Sequence, residues 1–194
     1  MNQYTTFWQW FFDNESHFYS NIEETAEYWV PLIDKELKRI HPDLVFEISE
    51  QLNNTRQIII SADGILDAFN DVFKLKQAFT PHPRWKMVAL RQRENTSNHH
   101  VELDGLTLGY EDIFFSLTKL NNGFHIKVFI DGYDGLDQRY VHAYFLLLDA
   151  LIGEYDAVTY ITKTTLLESP SDEPLHPFIQ LVSLLDKEKE SIKE

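Results

Sequence analysis

The spacing of apolar side chains changes period several times along this chain, and each change marks an element. Ile22, Ala26, Trp29, Ile33, Leu37 and Ile40 recur every three or four positions, which is one face of a helix. An aromatic cluster, Phe7, Trp8, Trp10, Phe11 and Phe12, precedes them, so a helical segment is predicted over about residues 1–41. Pro31 falls inside it and is expected to kink or restart the helix, because proline lacks a backbone donor and crowds the preceding turn. His41-Pro42 ends the segment. From Leu44 the period drops to two, with Leu44, Phe46 and Ile48 alternating against Val45, Glu47 and Ser49, as a strand with one buried face requires. A polar turn with Asn53-Asn54 leads into Ile58, Ile59 and Ile60, and these two strands are read as a hairpin.

Asp63-Gly64 closes that hairpin, and a helix with Leu66, Phe69, Val72 and Phe73 on its apolar side follows until Pro81 and Pro83. Strands are predicted over residues 85–92, 101–108, 113–120 and 124–130. Asn121-Asn122-Gly123 is the strongest turn signal, since asparagine and glycine tolerate the positive φ of tight hairpins. After a loop marked by Asp131-Gly132 and Asp134-Gly135, Tyr140, Tyr144, Leu147 and Leu151 predict a helix that Gly153 stops. Residues 158–167 read as an edge or closing strand and 169–177 as a proline-rich loop. Phe178, Val182 and Leu185 begin a final helix that frays into a charged tail over about 187–194. The expected fold is α+β: one domain over residues 1–194, with a mainly antiparallel sheet of about five to seven strands and helices packed on it.

Composition narrows the function classes. A 194-residue chain that is 43% hydrophobic can bury a sizeable core. It contains no cysteine, which removes disulfides, thiolate catalysis and thiolate metal sites and suits a cytoplasmic setting. The first residues do not read as a signal peptide, and the most apolar stretch, 143–148, is too short for a bilayer span. Thirty-one acidic against seventeen basic residues leave a net charge of −14, which disfavours nucleic acid and anionic membranes and favours a basic protein partner. Plain solubility is the simpler explanation of such acidity.

The charge is unevenly placed. Between Val72 and Arg93 stand Lys74, Lys76, Arg84, Lys86, Arg91 and Arg93, with no acidic residue among them. On a strand from Arg84, parity puts Trp85, Met87, Ala89, Arg91 and Arg93 on one face. An indole stacking surface and two guanidinium forks could there hold a small planar anion. The simpler alternative is that the arginines pair with carboxylates on neighbouring strands. Glu154 and Asp156 form a second candidate, because paired carboxylates bind divalent ions or divide acid and base roles. No third ligand follows from spacing, and an exposed helix end is the simpler account. His99-His100 lacks metal-ligand spacing. His82 sits between prolines as a turn residue, and Asp63 is expected as a helix N-cap. The N-terminal aromatics are read first as core, and otherwise as a partner-binding patch. No metal or cofactor is expected, and no catalytic signature is present.

Three short motifs, Ile60-Ser61-Ala62-Asp63-Gly64, Pro83-Arg84-Trp85 leading to Leu90-Arg91, and Leu151-Ile152-Gly153-Glu154-Tyr155-Asp156, resemble small bacterial proteins of a family defined only as a domain of unknown function. The resemblance spans roughly residues 1–167 and implies no activity and no functional residue. Two readings therefore stand: a non-enzymatic interaction domain, in one version an immunity-type protein covering a basic toxin, and an enzyme or small-anion module built on Trp85, Arg91, Arg93, Glu154 and Asp156.

Overall fold

A computed structural model describes residues 2–170 and 174–192. Residues 171–173 of the expected loop and 193–194 of the expected tail lie outside the described residues. The chain divides into two compact units, residues 1–91 and residues 92–194.

The N-terminal unit opens with α1 (Gln3–Asn14) and α2 (Ile22–Lys38). The side chain of Asn2 caps α1 by accepting the Thr5 amide at 2.9 Å. Helix α2 runs through Pro31 without a break. Pro31 lies on the exposed face, and Glu27, whose carbonyl loses its usual donor, is exposed too, so the proline is accommodated where the freed carbonyl stays at the solvent surface. The expected hairpin follows: β1 (Val45–Ile48) pairs antiparallel with β2 (Arg56–Ser61). Helix α3 (Phe69–Ala78) then crosses over to β3 (Trp85–Ala89), which runs parallel to β2 in the order β1-β2-β3.

Large rings fill this unit. Trp85, Phe11 and Phe18 are fully buried, and Trp85 meets Phe11 edge-on at 5.0 Å between ring centres. The N-terminal aromatics are thus core where they are largest, with Phe7 and Trp8 also buried. On α3 the expected Phe69 and Val72 are buried together with Leu75, while Phe73 is exposed and Leu66 lies exposed in the short turn 66–68 that precedes the helix. Two charges are sealed in as well. Glu15 accepts the Trp85 indole N–H at 2.9 Å and pairs with Arg84. Arg56 donates to the Tyr19 carbonyl at 2.7 Å, to the Ser49 carbonyl at 2.9 Å and to both oxygens of Glu23.

The C-terminal unit begins with β4 (His100–Leu103) and β5 (Leu106–Gly109), an antiparallel pair where one strand was expected over 101–108. Asp104 at φ 47° and Gly105 at φ 80° make the turn between them, the left-handed pair that two-residue hairpins require. Strands β6 (Ile113–Leu120) and β7 (Gly123–Ile130) form the expected long hairpin. Helices α4 (Gln138–Ile152) and α5 (Glu154–Tyr160) lead to β8 (Ile161–Leu167), parallel to β7. Gly153, at φ 85°, closes α4. A two-residue β9 (His176–Pro177) joins β6, giving the order β8-β7-β6-β9, and α6 (Leu181–Ile192) ends the described chain. The core joins Phe115, Phe124, Ile126, Val128 and Ile130 of the hairpin to Tyr144, Leu147 and Leu151 of α4 and to Phe178.

The α+β class stands, with nine strands and six helices among the described residues. The mainly antiparallel sheet does not: strands fall into sheets of three, two and four, and β2–β3 and β7–β8 are parallel. The reason is topological. A strand returning after a helix lies beside its predecessor with the same direction, and apolar periodicity carries no sign of direction.

Two stability outcomes follow. Trp85→Ala removes the centre of the N-terminal aromatic core and should cost about 3–5 kcal/mol in urea unfolding. Gly123→Ala should cost more than Gly105→Ala, which is expected to cost about 1 kcal/mol for positive φ alone. A Cβ at Gly123 would stand 2.6 Å from the Tyr160 carbonyl, whereas nothing lies within 4 Å at Gly105. Equal losses at the two glycines would contradict this packing.

Candidate functional site

The strand that was to carry the Trp/Arg face ends early. Leu90 adopts φ 62° and donates its amide to the Ile60 carbonyl, so β3 stops at Ala89 and the side-chain alternation is broken before Arg91. Trp85 is 1% exposed, turned into the core with its indole N–H held by Glu15. Arg91, in the N-terminal unit, donates to Glu47 at 2.7 Å and to Asp63 at 3.1 Å. Asp63 is therefore an arginine partner in a left-handed turn, not a helix cap; α3 starts at Phe69 without a side-chain cap.

Arg93, in the C-terminal unit, makes a bidentate pair with Asp186 at 2.8 and 3.0 Å and reaches Asp156 at 3.5 Å. Asp156 also accepts Lys189 at 2.6 Å. Of the residues singled out in the sequence, Arg93 and Asp156 are thus brought together, in a chain of alternating charge, Lys189–Asp156–Arg93–Asp186, that ties α6 to α5. Glu154 lies at the first position of α5, fully buried rather than at an exposed helix end. The helix dipole there favours a carboxylate. The adjacent histidines face separate carboxylates, His99 on Glu94 at 2.9 Å and His100 on Glu111 at 2.7 Å. Among the described residues no group of three or more His, Asp or Glu is placed to hold a metal ion. None of their helices is long and apolar enough to cross a membrane.

The electrostatics follow this pairing. The Arg93 guanidinium beside Asp186 holds that carboxyl below its ordinary value. Arg56 does the same for Glu23 through direct hydrogen bonds. Burial pushes the Tyr110 phenol up to about 12 and the Tyr144 phenol higher still.

What remains open in the basic segment is a groove of about 430 Å³ in the N-terminal unit, lined by Gln57, Lys76, Phe79, Pro81, His82, Trp85, Lys86, Met87 and Val88. No acidic residue lines it. His82 stacks on Phe12 with ring centres 4.7 Å apart, which fixes the groove's rim. Lys76 donates to the Met87 carbonyl. Lys86 is exposed and has no side-chain partner among the described residues. The charge run of residues 72–93 was the signal for this groove, although the arginines first proposed are spent on ion pairs elsewhere. The buried Glu15 and Arg56 were missed; an acid within the aromatic run 7–19 and an arginine just before Ile58 were their only traces.

A pH outcome follows from Asp186. Its folded pKa lies below the unfolded one, so the pair with Arg93 stabilises the unit above the unfolded value and is lost as pH falls through the folded one. Arg93→Ala should weaken the unit by about 1 kcal/mol near neutrality, speed amide exchange in α6, and flatten the loss of stability below about pH 4. An unchanged acid limb in Arg93→Ala would contradict the pairing. No family model, curated protein or solved structure matches this chain, so the resemblance to small bacterial proteins rests on its short motifs alone.

Proposed function

We propose that this chain is a non-enzymatic protein-interaction domain whose acidic C-terminal unit covers a basic partner, as an immunity-type protein covers a toxin. The charge is divided unequally between the two units. Residues 1–91 hold thirteen acidic and nine basic side chains, net −4, while residues 92–194 hold eighteen and eight, net −10. The observation that carries the reading is that this strongly acidic unit also exposes large apolar side chains. Leu136 is 81% exposed in a loop between Asp134 and Asp137, Tyr155 is 49% exposed beside Asp156, and Phe145 is 44% exposed on α4. The carboxylates nearest two of these side chains are paired within the unit, Asp137 with Arg139 and Asp156 with Lys189 and Arg93, so the attraction to a basic protein comes from the unit's net charge, while the rings and aliphatic groups supply affinity. The lack of cysteine is in keeping with action in the cytosol.

The alternative, a small-anion or catalytic module on Trp85, Arg91, Arg93, Glu154 and Asp156, draws less support. Trp85 and Glu154 are buried, and Arg91, Arg93 and Asp156 are engaged in ion pairs.

The immobilised full chain should capture a strongly basic protein from lysate at low salt, with affinity that falls steeply as salt rises. Phe145→Ala or Leu136→Ala should weaken that complex by about 2 kcal/mol, read by calorimetry with the identified partner. A captured partner that is neutral or acidic, or one indifferent to salt and to both substitutions, would sink the reading.

A further inference from the structure

The four arginines of the N-terminal unit are all matched by carboxylates: Arg39 by Glu36, Arg56 by Glu23, Arg84 by Glu15 and Arg91 by Glu47. The two lysines of the basic groove are not. Lys76 donates to the Met87 carbonyl, and neither it nor Lys86 has a carboxylate partner among the described residues. In a chain with thirty-one acidic side chains, two ammonium groups that line one groove without an acid are placed for a negative charge from outside the chain.

The groove's accessible lining is made of side chains. Trp85 and Met87, each 1% exposed, only close its inner side. Gln57, Lys76, Pro81 and Lys86 are exposed, and Phe79 and His82 are half-buried. The polar groups are held in place. One of the three Lys76 protons goes to the Met87 carbonyl, which anchors the ammonium and leaves two for a ligand. The His82 ring stacks on Phe12, and its Nδ1 accepts the Arg84 amide at 3.3 Å, so the neutral ring carries its proton on Nε2 as a further donor. Lys86 stands on the exposed side of β3 beside Gln57, its register partner.

We propose that this groove binds a small phosphate monoester whose organic part is apolar. The donors select the head group. Two ammonium groups match the charge of about −1.5 to −2 that a phosphate monoester carries at neutral pH. No arginine lines the groove, so the guanidinium fork that best fits a planar carboxylate is missing, whereas lysine meets phosphate as a point charge. Phe79 and Pro81 give the organic part an apolar wall. A volume of about 430 Å³ lies in the range of small-molecule sites, roughly 300–1,000 Å³.

This site lies in the N-terminal unit and does not rest on the basic-partner reading. The test titrates the full-length protein with phenyl phosphate, followed by calorimetry and by amide NMR shifts. Binding should move the amides of residues 76–88, and Lys86→Gln should weaken it roughly tenfold, as loss of a charge-assisted hydrogen bond implies. Lys74→Gln makes the same change of charge on an exposed α3 lysine that lies over the Tyr4 ring, outside the groove, and should bind as the wild type does. Inorganic phosphate, which lacks the ring, and benzoate, which is planar and singly charged, should each bind roughly fivefold or more weakly than phenyl phosphate. No binding of phenyl phosphate at millimolar concentration, equal losses in Lys86→Gln and Lys74→Gln, or inorganic phosphate or benzoate binding as tightly as phenyl phosphate would each overturn the proposal.

Discussion

A guanidinium sealed inside an apolar unit has to be met on its donors, and in the N-terminal unit that demand falls on Arg56, whose side chain is only 3% exposed. Its partners come from three places: the backbone just before α2, the first turn of α2 and the residue that follows β1. One side chain thereby fixes the helical segment against the hairpin. Glu15 makes the complementary demand from the other side, drawing in the Trp85 indole and Arg84. Between them the two buried charges set where the aromatic core can sit. Trp85 lies where it does because its indole donor has a carboxylate to reach, and that orientation takes it out of contention as a stacking platform for a ligand.

The same principle explains how much of the molecule was legible. Elements carried by strict periodicity or by a turn with positive φ were readable, among them the hairpin through Asn121-Asn122-Gly123, the helix ending at Gly153 and the α2 stripe. Strand direction was not, because β2 and β3 are apolar whichever way they run. The strand expected over 85–92 and the one over 101–108 fail for a common reason: a left-handed residue interrupts each, Leu90 in one and Asp104 with Gly105 in the other. Asp104-Gly105 was readable as a turn and was masked by flanking apolar residues; a left-handed leucine has no local signature. The candidate arginines were correctly seen as unusual for an acidic chain, but their carboxylates are 28 to 93 positions away, beyond the reach of spacing arguments.

The two units repeat one sequence of events in secondary structure: an antiparallel hairpin, a helical crossover, and a strand returned parallel to the hairpin's second member. They close it differently. In the C-terminal unit β9 covers part of the outer edge of β6, and α6 is tied down by the Arg93–Asp186 pair. In the N-terminal unit the returning strand is left at the margin with a lysine over its backbone. Similar wiring thus leaves one unit with an acidic surface bearing exposed rings and the other with a basic margin.

The aromatic core of residues 1–91 also makes the two units optically distinct. All four tryptophans, Trp8, Trp10, Trp29 and Trp85, belong to the N-terminal unit, while the C-terminal unit carries six of the nine tyrosines and no indole. Indole emission is therefore a private signal of one unit, whereas far-ultraviolet ellipticity sums over both. Superimposable melting curves by the two probes would mean that the units unfold as one cooperative body, and separated curves that each has a transition of its own.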